Sequence, residues 1–104
     1  MITAIVRFPL PQEITLNDAR AMFEGSAPRY QGFPGLIRKY YLFGADGQGG
    51  GVYLWESREA ADQLYSEEWK KMIEDKFGCA PEILFYDTPV VIDNISNEVI
   101  TKAA

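Results

Sequence analysis

The stretch Gly49–Gly78, GGGVYLWESREAADQLYSEEWKKMIEDKFG, holds two periodicities separated by one helix-start signal. Val52, Tyr53, Leu54 and Trp55 form a short continuous apolar run of good β-formers. Ala61, Leu64, Tyr65, Trp69, Met72, Ile73, Lys76 and Phe77 then recur at steps of three and four, the spacing of one helix face. Ser57 lies at the junction as the predicted N-cap, and Gly78 closes the helix. The segment reads as strand, cap and a single helix. A strand apolar on both faces does not suit a half-solvated sheet, so the face this helix leaves open is expected to meet a second subunit.

Outward from that segment, Ile2, Ala4, Val6 and Phe8 alternate with Thr3, Ile5 and Arg7, which predicts a first strand over Ile2–Phe8 ended by Pro9 and Pro11. Thr15, with Asp18 three residues on, resembles a capping box and opens a helix carrying Leu16, Ala19, Met22 and Phe23, expected to stop before Pro28. Pro34-Gly35 marks a turn, and Leu36–Phe43 reads as a second strand. Gly44–Gly51 is expected as a glycine-rich hairpin connection to the third strand. Pro81 introduces a fourth strand over Glu82–Asp87, and Val90–Ile92 is a further extended piece. The order is β-α-β-β-α-β, a ferredoxin-like α+β domain over residues 1–93 with two helices on one face of a four-stranded antiparallel sheet. Residues 94–104 read as a polar C-terminal tail, either mobile or laid on a partner.

Composition narrows the function. The 104 residues, 47% hydrophobic and 13% aromatic, support one domain that buries roughly two thirds of its unfolded surface. A net charge of −5 and no run of more than two basic residues argue against nucleic-acid binding. The N-terminal apolar stretch is too short and too interrupted for a signal or a membrane span, which leads us to expect a cytoplasmic protein with no membrane partner. The single cysteine, Cys79, allows no internal disulfide, and it is expected to be buried. Histidine is absent altogether, so Ser-His, Cys-His and His-metal sites are excluded.

Three segments, PGLIRKYYL (Pro34–Leu42), GGGVYLWESREAADQLY (Gly49–Tyr65) and FYDTPVVIDN (Phe85–Asn94), carry a resemblance to the dimeric α+β barrels of the antibiotic-biosynthesis-monooxygenase type. Within them the chain looks most like the small YdhR-type monooxygenase-like proteins. The resemblance covers most of residues 1–93. It implies a homodimer whose two sheets form a barrel, with an apolar pocket in each subunit between sheet and helices. It also implies oxygenation of an aromatic or quinol-like molecule with no metal or flavin. Haem-degrading relatives use a strand-one asparagine, a tryptophan and an iron-ligating histidine, where this chain has Val6 and Arg7, Leu64 and Ile73.

The candidate catalytic residues are Arg38 and Trp55. An arginine inside an apolar strand needs an anionic or carbonyl partner, and Arg38 is suited either to an enolate or quinolate oxygen or to an intersubunit salt bridge. Arg7 has the same two readings. Tyr40, Tyr41, Tyr53, Tyr65, Trp69 and Tyr86 are the candidate substrate-binding residues, because flat rings pack a flat substrate and their polar tips can hydrogen-bond it. Core or dimer packing is the alternative for each. No base stands out, although Glu56 and Asp87 fall at strand ends. The glycines at 44–51 lead into a strand and lack a following Lys-Ser or Lys-Thr, so they read as a hairpin and not a phosphate loop. A non-catalytic dimer that binds a small apolar ligand, or a stress-related protein of the same fold, is the competing function.

Overall fold

The computed structural model describes residues 1–101. Its elements are β1 (Ile2–Pro9), α1 (Leu16–Tyr30), β2 (Leu36–Phe43), β3 (Gln48–Trp55), α2 (Arg58–Leu64), α3 (Glu67–Phe77), β4 (Glu82–Asp87), β5 (Val90–Asp93) and β6 (Glu98–Thr101). The first four strands make one antiparallel sheet in the order β2-β3-β1-β4, and β5 pairs with β6 as a separate hairpin. This is the expected ferredoxin-like α+β arrangement.

Alternation along β1 decides where the core lies. Ile2, Ala4, Val6 and Phe8 are buried on the helix side, and the register sets Trp55 and Tyr53 of β3 beside Ile2 and Ala4. Ala61 and Leu64 of α2, with Trp69 and Ile73 of α3 and Tyr30 of α1, complete this layer. Fully burying such large side chains contributes roughly 1.5–3 kcal/mol each. The opposite face carries Tyr40, Leu42, Leu84 and Tyr86, all exposed.

Four local expectations are corrected. The first helix does not stop before Pro28 but runs through it to Tyr30. The N–H that proline lacks would have met the carbonyl of Glu24, and both residues lie on the exposed side, where water can serve that carbonyl. Gly49–Gly51 belong to β3 and not to the connection. At Gly50, with φ +146°, an added Cβ would fall 1.8 Å from the carbonyl oxygen of Val6, so the glycine permits a close strand approach. The single helix after Ser57 is two helices, because Ser66 is a second N-cap: its side chain accepts from the Trp69 N–H at 3.2 Å, and Glu67 and Glu68 follow in the first turn. Cys79 is exposed, since it follows the left-handed cap Gly78 beyond the end of α3.

Beyond Asp93 the chain turns and returns as β6, so part of the polar segment read as a tail is a strand; residues 102–104 lie outside the described residues. Among the described residues no helix is long and apolar enough to cross a membrane.

Candidate functional site

The strand β2 sends alternate side chains to opposite faces, and this divides the candidate residues into two groups. Pairing of Lys39 with Tyr53 and of Tyr41 with Gly51 sets Lys39 and Tyr41 on the helix side. Arg38 and Tyr40 lie on the other face, as does Tyr86 of β4.

On the helix side the Nζ of Lys39 stands over three tyrosine rings, 3.4 Å from the centroid of Tyr30, 3.7 Å from Tyr41 and 4.7 Å from Tyr53. Each ring is itself held. The Trp69 indole N–H donates to the Tyr30 hydroxyl at 3.1 Å. The Tyr41 hydroxyl shares a 2.7 Å hydrogen bond with Ser26 of α1, and Phe23 stacks on its ring at 4.8 Å. Tyr53 is parallel to Trp55 with centroids 6.2 Å apart.

These residues line a cavity of about 70 Å³ between the sheet, α1 and α3, closed on its apolar side by Phe8, Phe23, Ile73 and Phe77. Arg29 and Lys76 are its exposed lining residues and mark the mouth. The Arg29 guanidinium contacts the Met72 sulfur there, bridging α1 and α3.

Burial, reinforced by the charge on Arg29, lowers the Lys39 ammonium to about 7. The faces of the tyrosine rings favour the charged form and so oppose that shift. Burial pushes the Tyr53 phenol up strongly and the Tyr41 phenol up as well, so both keep their protons at neutral pH. The site therefore combines an amine that can take a proton near neutrality, phenol donors and a wall of hydrocarbon. Those are the parts needed to accept a proton from an acidic C–H or O–H and to hold the resulting anion away from water.

The structure brings Tyr41, Tyr53 and Trp69 together at this cavity. Trp55 is completely buried, with its indole N–H donating to the Tyr65 hydroxyl at 3.1 Å. Tyr65 also lines a separate groove with Arg58, Pro81 and Phe85. Arg38 lies on the opposite face, paired with Asp93 at 3.1 Å and bonded to Tyr40 at 3.4 Å. The Ser96 backbone N–H, the Arg38 guanidinium and the Ile95 N–H together hold the Asp93 carboxyl below its ordinary range. Arg7 is exposed near Asp46, and Glu56 and Asp87 are exposed away from the cavity. Among the described residues no three His, Cys, Asp or Glu side chains come together as a metal site.

The sequence reading passed over Lys39. Its signal was the pair Lys39 and Tyr41 on one strand face, which becomes informative only once that face is known to meet α1.

An antiparallel four-stranded sheet with helices on one face is a ferredoxin-like α+β fold, and two solved structures share it. The chain is similar to a crystal structure of an antibiotic biosynthesis monooxygenase at a TM-score of 0.62 and 12% identity, over 85% of this chain and 98% of that one. It is also similar to Rv0793 from Mycobacterium tuberculosis at a TM-score of 0.58 and 16% identity, over 84% of this chain and 93% of that one. No family model matches the sequence, and no curated protein matches it.

Proposed function

We propose that this chain is a cofactor-independent monooxygenase of the YdhR-type branch, acting on a small phenol or quinol in the cavity beneath Lys39. The observation that carries the reading is the Lys39 amine held among three tyrosines at an aromatic cavity. Neutral Lys39 takes the hydroxyl proton of the substrate, and the tyrosine faces stabilise the ammonium that forms. Tyr41 and Tyr53 hydroxyls, which stay protonated, donate to the phenolate oxygen. The electron-rich ring then reacts with dioxygen. In a phenol one ring C–H carbon becomes the second carbonyl of a quinone, and in a quinol it becomes the hydroxyl-bearing carbon of a hydroxyquinone. In both, one oxygen atom stays in the product, the other leaves as water, and the substrate supplies all the electrons.

The fold neighbours, one of them an antibiotic biosynthesis monooxygenase, support the class of activity. The protein would work as a cytoplasmic homodimer, its exposed sheet face covered by that of a second copy. A role in binding without turnover is favoured by one observation: a cavity of about 70 Å³ is smaller than the roughly 150 Å³ that holds a benzene ring. The unbranched side chains of Met72 and Lys76 would have to move for a ring to enter.

Oxygen uptake with a panel of hydroquinones separates the two. Consumption that needs both substrate and protein, and that Lys39→Met abolishes, supports the oxygenase. Ligand-dependent stabilisation with no oxygen uptake supports the binder.

A further inference from the structure

The chain carries a net charge of −5, yet every charged side chain that lines the tyrosine cavity is a cation: Arg29, Lys39 and Lys76, with no Asp or Glu among the lining residues. The remaining cations are engaged elsewhere. Of the nine Lys and Arg among the described residues, Arg7, Arg38, Arg58, Lys70 and Lys71 pair with carboxylates. Arg20 is exposed and bonds to Asn17. The three that line the cavity have no carboxylate partner among the described residues.

From this clustering we propose that the cavity selects an organic anion, a single aromatic ring bearing a carboxylate. In an acidic protein, setting Arg29 and Lys76 at the mouth without a carboxylate partner among the described residues, with the partly charged Lys39 behind them, costs repulsion that a bound anion relieves. A mouth with positive potential and low-dielectric walls also concentrates anions from solution. The cavity's size restricts the ligand to one ring, because even that requires the side chains at the mouth to shift. Arg29 offers a planar donor fork suited to a carboxylate, Lys76 a second cation beside it, and the tyrosine rings below give the aromatic body faces to pack against.

This inference rests on the same cavity as the oxygenase reading, but it concerns binding alone and does not need turnover. The experiment is isothermal titration of the full chain with benzoate and with its neutral isostere benzamide. Benzoate should bind at least about tenfold more tightly, and the difference should shrink as salt rises. Arg29→Gln and Lys76→Gln, both at exposed positions that leave the core intact, should each weaken benzoate by roughly threefold to tenfold without changing benzamide. Arg58→Gln removes the same charge from a separate groove and should leave benzoate binding unchanged.

Equal affinity for the two probes, no benzoate binding, or the same loss in Arg58→Gln as at the mouth would overturn the proposal. Oxygen uptake with neutral hydroquinone but no benzoate binding would keep the oxygenase and remove the anion selectivity. Benzoate binding without uptake on any dihydroxybenzoate would do the reverse.

Discussion

The Nζ of Lys39 lies 3.4 Å from the centroid of the Tyr30 ring, a contact that joins β2 to the last residue of α1. Two forces meet there. Burial penalises the ammonium, and the ring faces stabilise it. With the folded-state value lowered to about 7 from 10.5, the unfolded chain binds more protons than the folded one between those two values. Stability should therefore rise with pH across that window, and the full penalty should be present below pH 7. One group contributes at most about 1.4 kcal/mol per pH unit; partial exposure and the opposing rings reduce the gain between pH 7 and 9 to the order of 1 kcal/mol. Urea denaturation of wild type and Lys39→Met over pH 6–9.5 checks this. A difference between the two that stays constant with pH would mean that Lys39 keeps its proton throughout.

The same amine sets the pH dependence of the proposed reaction. A base must be unprotonated to act, so the rate at low substrate should climb tenfold per pH unit below about 7 and level off above it. Lys39→Arg, which keeps the charge but cannot release a proton near neutrality, should lose the activity along with the profile. A flat profile in wild type would assign the proton transfer to another group.

Much of this arrangement was legible because one periodicity can be read without knowing the other. The 2-residue alternation of Ile2–Phe8 and the capping-box start at Thr15 required nothing from the rest of the molecule. The helix break at Tyr65–Ser66 was hidden because the apolar step of four from Tyr65 to Trp69 continues across it, although Ser66 followed by two glutamates is itself a start signal. Arg38 and Lys39 show the deeper limit. They are neighbours in a strand, so one must face the helices and the other must not, and a single sequence does not say which. Arg38 drew attention as the cation in an apolar strand, while register put Lys39 in the cavity and Arg38 against Asp93.

Ser66 makes a second helix start testable. Removing its hydroxyl leaves the Trp69 N–H without its side-chain acceptor, and Trp69 also carries the hydrogen bond to Tyr30. Ser66→Ala should cost about 1 kcal/mol in urea denaturation, comparable to loss of an ordinary N-cap. If Glu67–Phe77 were simply the continuation of α2, alanine would be neutral or stabilising there.

Gly50 tests the strand approach. Any side chain there meets the Val6 carbonyl, which belongs to an inner strand paired on both sides and cannot withdraw, and the backbone is held at a φ that L-residues rarely adopt. Gly50→Ala should destabilise by about 3 kcal/mol or more, whereas Gly47→Ala, in the open turn, should cost only about 1 kcal/mol of left-handed strain. Thermal melts of the two variants side by side give the comparison. Equal losses would mean that β1 and β3 stand further apart than a Cβ-to-oxygen distance of 1.8 Å implies.

The exposed sheet face gives the last prediction. Leu84 and Tyr86 of β4 and Tyr40 and Leu42 of β2 stand on it with 38–52% of their surface in solvent, an exposed apolar face of the kind that marks an association surface. Burying the exposed half of each against a second sheet is worth roughly 1 kcal/mol per side chain, a drive to associate that works against the entropy of pairing two copies. If the proposed homodimer forms through this face, native mass spectrometry should show a dimer. Leu84→Asp places a carboxylate in the middle of that face while leaving the helix-side core untouched, and it should convert the dimer to a folded monomer with unchanged far-UV circular dichroism. A wild-type monomer would overturn the homodimer and leave this face open beside the β5–β6 hairpin that Arg38 and Asp93 anchor.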